Sequence, residues 1–282
     1  MRAKGTGPPG SAHPATGRGR HGHLTLLGAA RELRSSALEP WNRSRPLAAG
    51  QHTPTRPRTA GHDVPARPRA DERLPVLLVH GYGGCAGQWA PVRSALLAAG
   101  FHTVETFAYD SFRFDVPTLA RQLAQSVRRL LAEHEAEGVR EVILVGHSLG
   151  GVIVRYAVSL GGLDAVVRTA VTVAAPHGGC ALARLAVAPA AAQLRPGSAL
   201  LRRLEAAASP GHARWIAYGG GSDLVVPSQR ARLRPDALAA VNVEVPDEGH
   251  LSILRSRRLA RDLVERLGSE HVMSAEMLAL AA

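Results

Sequence analysis

The sequence predicts an α/β fold: a doubly wound, mostly parallel sheet of about six strands with helices on both faces. Three features carry that expectation. Short uninterrupted apolar runs such as LPVLLVH (74–80) have the length and β-branched character of strands buried on both sides. Between them stand segments of roughly 10–20 residues with apolar side chains at helical spacing. Strand and helix then alternate from Leu74 onward, the order that builds right-handed βαβ units.

Taken in order, LPVLLVH runs into the glycine-rich turn GYGG. QWAPVRSALLAAG (88–100) has helical spacing and stops at Gly100, a C-terminal cap. HTVETFAYD (102–110) is β-branched and aromatic enough for a second strand. Asp115 and Pro117 open a helix with Leu119, Leu123, Val127, Leu130 and Leu131 on one face, closed by Gly138. EVILVGHS is the third strand and LGGVIVRYAVSL the helix after it, and TAVTVAAP (169–176) is the fourth strand. WIAYGGGSD (215–223) and VNVEVP (241–246) are the fifth and sixth, before a last helix from about Ser252 to Leu267.

The 282 residues fit one domain with an appendage. Residues 1–70 carry Pro, Gly, Arg and His throughout without apolar periodicity, and such a segment buries too little apolar surface to offset its ordering entropy. A disordered basic tail is therefore expected at 1–70, the folded domain at 71–270 and a C-terminal extension at 271–282. Residues 1–73 hold 13 Lys and Arg against 5 Asp and Glu, and the remainder 21 against 18, so most of the net +11 belongs to the tail. A basic surplus raises nucleic acid or an anionic membrane as partners. Here it raises them for the tail alone, and no nucleic-acid partner is expected for the folded domain. The apolar part of HLTLLGAARELR (23–34) is too short for a signal peptide, and no run of 18 apolar residues occurs, so a cytoplasmic location is expected, with secretion as the alternative. Cys85 and Cys180 are expected as free thiols.

In a parallel sheet, function gathers beyond the carboxyl ends of the strands. GHSLG there fits G-x-S-x-G, in which Ser148 sits on a strained strand-to-helix turn that lifts its hydroxyl above the sheet. A serine nucleophile needs a base, and the base needs an orienting acid. His250 lies after the sixth strand and Asp223 after the fifth, both on the correct edge. His80, His102 and His177 are bases on composition alone, and Asp247 and Glu248 compete with Asp223 for the acid's role. His147, on the opposite face of its strand, is read as a packing residue that points away from the serine. The oxyanion hole is assigned to the backbone N–H groups of Leu149, after the nucleophile, and Tyr82, in VHGYGG.

These residues resemble the α/β-hydrolase family, and within it the small bacterial lipases and esterases. The likeness covers about Leu74 to Leu267 through VHGYGG, GHSLGG, APHGG, LRPGSALLRRL, YGGGSDLVVP and GHLSIL. It implies Ser148 as nucleophile, Asp223 and His250 as its partners, and Tyr82 and Leu149 as oxyanion donors. The basic tail and the missing secretion signal depart from those lipases.

The expected activity is hydrolysis of a carboxylic ester, an acylglycerol or similar lipid, through an acyl-enzyme, with transient contact to a lipid surface. An acyltransferase using the same residues and a non-catalytic binding protein with an anion-binding tail are the alternatives. About 40 residues separate the fourth strand from the fifth, too few for a large cap. They include ALARLAVAPAAAQL, which either lines an acyl pocket as a small flap or forms a plain helix on the sheet. No metal cluster and no cofactor are expected: GHSLGG lacks the lysine of a phosphate-binding loop.

Overall fold

The computed structural model describes residues 74–280. Its elements are β1 (Val76–Val79), α1 (Ala90–Ala98), β2 (Val104–Phe107), α2 (Val116–Glu133), β3 (Val142–His147), α3 (Leu149–Ser159), β4 (Val167–Val173), α4 (Ala199–Ala206), β5 (Arg214–Gly220), β6 (Val241–Val245) and α5 (Arg257–Leu280). The six strands form one sheet in the order β2-β1-β3-β4-β5-β6, every neighbouring pair parallel.

Side chains alternate across the sheet, and both sides are buried. Leu77, Val79, Leu144, Ala170, Trp215 and Ala217 face a core formed with α2, α3 and α4. Val76, Leu78, Val145, Val171, Ile216 and Tyr218 face a second core formed with α1 and α5. This distribution follows from right-handed crossovers. The chain moves outward from β1 to β2 over α1, then returns to β3 and continues over α2, α3 and α4, so the direction of travel selects the face. The direction reverses between β1 and β3, and in such sheets ligands bind at that place, beyond the carboxyl ends of the strands.

Local chemistry sets the helix ends. The Asp115 carboxylate accepts from the Thr118 N–H at 2.9 Å and caps α2, with Pro117 in the first turn. Ser198 Oγ accepts from the Leu201 N–H at 3.2 Å and caps α4. Tyr218 donates to Asp262 at 2.7 Å, and Arg266 binds the same carboxylate oxygen, which fastens α5 to β5.

The helix opened by Asp115 ends at Glu133, and Gly138 closes a separate 3-10 turn at Glu135–Glu137 instead. Three further expectations change. The segment 88–100 is not one helix, since a 3-10 turn at Ala86–Trp89 precedes α1, whose second residue is Pro91. ALARLAVAPAAAQL is no plain helix either: a 3-10 turn at Ala181–Leu185 and a helical turn at Pro189–Ala192 flank an extended link, because Pro189 ends one segment and starts the next. The last helix begins at Arg257, after a 3-10 turn at Ser252–Arg255, and continues past Leu267 to Leu280. Gly268 is tolerated inside a run of good helix formers free of proline. The tail expected at 1–70 lies outside the described residues. No helix among the described residues is long and apolar enough to cross a membrane.

Candidate active site

Ser148 stands at the corner between β3 and α3 with φ 52° and ψ −120°, a backbone conformation that costs a non-glycine residue on the order of 1–3 kcal/mol. The corner closes because Gly146 carries no side chain: a Cβ there would lie 2.5 Å from the Gly150 carbonyl oxygen. Leu149 opens α3, so its N–H belongs to the first turn, where amides lack intrahelical partners and the helix dipole is positive.

Two loops from distant parts of the chain meet this corner. His250, in the turn after β6, places Nε2 2.9 Å from Ser148 Oγ, and its Nδ1 lies 2.8 Å from Asp223 Oδ2, after β5. With Nδ1–H donating to the carboxylate, Nε2 is left to accept from the serine hydroxyl. Asp223 Oδ1 meanwhile accepts from the N–H groups of Val225 (2.8 Å) and Val226 (2.7 Å). The Asp223 side chain is wholly withdrawn from solvent, whereas that of His250 keeps 10% of its exposure. The acid is thus fixed in a dry setting while the base stays within reach of a substrate. Such a chain can take a proton from Oγ as it attacks and stabilise the imidazolium that results.

The loop after β1 lies against the same corner. A Cβ on Gly81 would come within 3.1 Å of Ser148 Cβ. The next loop braces it: Tyr109 donates to the His80 carbonyl at 2.5 Å, the Gly83 N–H donates to Ser111 Oγ at 2.9 Å, and the rings of Tyr82 and Phe112 pack at 4.8 Å. The Gly84 N–H is turned inward to Gly81 O.

The other candidates lie elsewhere. His80 stacks on Tyr109 at 4.1 Å, and burial holds its pKa below the ordinary value. His177 meets Thr172 Oγ1 at 3.0 Å, and burial, with Arg155 nearby, holds it well below the ordinary value. His102 precedes β2 and so lies at the opposite edge of the sheet. The carboxylate at His250 Nδ1 is that of Asp223; Glu248 contributes its backbone carbonyl to the Ser222 N–H instead. Cys85 and Cys180 are free thiols, with Cys180 Sγ donating to Val225 O.

His147 departs from its expected role. It packs edge-on against Trp89, but it does not point away from the site: its Nε2 donates to the His250 carbonyl at 2.9 Å, and the two rings lie 5.0 Å apart. Alternation along β3 does put residues 147 and 148 on opposite sides. The turn after β6, however, passes over the strand end and touches both.

Exposed apolar side chains gather in the loops at this edge. Of the seven large hydrophobic side chains exposed among the described residues, six (Tyr82, Phe112, Leu182, Leu185, Val187 and Leu224) sit in loops that follow β1, β2, β4 and β5, at the edge that carries Ser148. Leu185 is 85% and Val187 98% exposed. Among the described residues no group of three or more His, Cys, Asp or Glu side chains is arranged to hold a metal ion.

Comparison with known proteins adds two findings. The model of the alpha/beta hydrolase family matches residues 76–219. Among solved structures, the Bacillus licheniformis lipase BlEst2 in mature form superposes with TM-score 0.60 at 18% identity, covering 69% of this chain and 92% of that one. A Paleococcus ferrophilus monoacylglycerol lipase gives 0.54 at 19% identity, covering 71% and 97%. The putative non-heme bromoperoxidase BpoC of Mycobacterium tuberculosis gives 0.51 at 19%, covering 70% and 92%. At these identities the likeness is one of fold, and the fold by itself does not select a reaction. No curated protein matches the chain.

Proposed function

The chain belongs to the alpha/beta hydrolase family, and from that premise we propose that it is a serine hydrolase that cleaves carboxylic esters through an acyl-enzyme. The observation that supports this most is the hydrogen-bonded series Ser148–His250–Asp223, set on a strained turn at the carboxyl edge of the sheet.

In this reading His250 Nε2 takes the hydroxyl proton as Ser148 Oγ bonds to the ester carbonyl carbon. The N–H groups of Tyr82 and Leu149 hold the oxyanion of the tetrahedral intermediate, and losing one such donor costs about 10²–10³ in rate. Collapse breaks the ester C–O bond, and His250 hands its proton to the departing alkoxide. Water, deprotonated by the same imidazole, then attacks the acyl-enzyme and releases the acid. The exposed apolar side chains of the rim favour an ester with a hydrophobic acyl chain, since exposed apolar patches mark binding surfaces. The lipases named among the structural neighbours agree with that choice.

The test is hydrolysis of a p-nitrophenyl ester by the wild-type protein and Ser148→Ala, with glycerol added as a competing acceptor. Release of free acid that vanishes in the variant supports the hydrolase. Acyl glycerol as main product would turn the reading to a transferase, and equal turnover by the variant would overturn it.

A further inference from the structure

We propose that His147 is a positioning residue that holds the base, His250, by its backbone. The inference rests on the hydrolase reading above and concerns how its geometry is kept.

His250 has to satisfy two contacts with one ring, 2.9 Å to Ser148 and 2.8 Å to Asp223, from a turn outside the sheet. Its side chain has two rotatable bonds, so the position of its own backbone decides whether both contacts are met. That backbone is tied at the carbonyl, which accepts from His147 Nε2 at 2.9 Å. His147 ends β3, which is paired on one side with β1 and on the other with β4, and it is buried to 2% exposure. The tie therefore runs from a rigid part of the molecule to the loop that must not drift. A displacement of about 1 Å at a reacting group costs up to about 10²-fold in rate.

The imidazole is also fitted on its other side. Trp89 meets it edge-on at 6.4 Å, and a Cβ on Gly81 would press within 2.9 Å of its Nδ1, so the loop that carries Tyr82 leans on the same ring. One side chain thus touches the loops expected to bear the base and one oxyanion donor, and it is joined covalently to Ser148. Burial, reinforced by His250 and His80, pushes its pKa down to about 3, so the Nε2–H donor stays neutral through the pH range in which a histidine base works.

Three substitutions separate this role from simple packing. His147→Gln keeps an N–H donor near the Nε2 position; His147→Asn keeps an amide too short to reach the carbonyl; His147→Phe keeps bulk without a donor. Thermal midpoints, kcat and KM on a p-nitrophenyl ester, and the rate of fluorophosphonate labelling are measured for each. The expected result is a fall in kcat and labelling rate of about 10- to 100-fold for Asn and Phe. KM should stay within about twofold, and Gln should recover most of the rate. Should Phe fail to fold, Gln against Asn remains the deciding pair. Folded variants that all label and turn over at the wild-type rate, or a Gln variant as slow as Asn, overturn the inference alone. A wild-type protein that takes no label overturns the hydrolase reading and this inference together.

Discussion

Both carboxylate oxygens of Asp223 are occupied by different tasks. Oδ1 accepts two backbone N–H groups of its own loop, and Oδ2 accepts from His250 Nδ1–H. An asparagine at this position has only one acceptor oxygen, and the two N–H groups claim it. Its NH₂ then faces His250 and obliges Nδ1 to accept, which moves the ring proton to Nε2 and takes away the acceptor for Ser148. Asp223→Asn is thus expected to lower kcat by about 10⁴-fold with the fold unchanged, as such a substitution does in serine triads. Steady-state kinetics beside a thermal melt checks this, and a loss below about tenfold would contradict it. Positions 148, 223 and 250 are legible in the sequence because each follows a strand, the first two announced by apolar runs and the last by the alternating VNVEV. The contact of His147 with His250 is not legible, since alternation assigns a face to each strand residue but says nothing of the path of a loop 103 residues away.

Among the helices, α2 shows how directly local chemistry can be read. Asp115, Pro117 and the row Leu119, Leu123, Val127, Leu130 and Leu131 announce its start and its inner face, and all of the row but the half-buried Leu131 are buried. Its cap stands at the carboxyl edge of the sheet, three residues after Phe112, and Asp115→Ala is expected to cost about 1 kcal/mol of stability. Urea titration measures it, and an unchanged midpoint would show that the cap contributes nothing. Tertiary context decides the elements that the sequence misreads. The stretch before α1 tightens into a 3-10 turn where Trp89 is buried, and the alanine-rich segment after β4 breaks at Pro189 despite good helix formers on either side. The continuation of α5 past Gly268 shows one glycine failing to end a helix.

The sheet as a whole follows from its inner strands β1, β3, β4 and β5, whose two-sided burial requires helices on both faces. It also buries titratable groups, with a consequence for the entire molecule. His80, His147 and His177 are held below their ordinary pKa, first of all by burial, so the unfolded chain binds more protons than the folded one once the pH drops below about 6.5. Their contribution to stability is complete above that value and is lost as pH falls toward the folded-state values, about 3 for His147. The slope reaches up to about 1.4 kcal/mol per pH unit for each histidine. Urea midpoints taken from pH 8 to pH 5 are expected to hold level down to about pH 6.5 and then decline. A midpoint at pH 5 equal to that at pH 7.5 would contradict the neutral burial of these rings.

Fluorophosphonate labelling followed by peptide mapping tests the reaction most directly, because the reagent reports an activated serine whatever the natural ester is. The expected result is one adduct, on Ser148, absent in Ser148→Ala and formed far more slowly in His250→Ala. An adduct on another residue, or equal labelling of wild type and Ser148→Ala, would contradict the assignment of Ser148 as nucleophile.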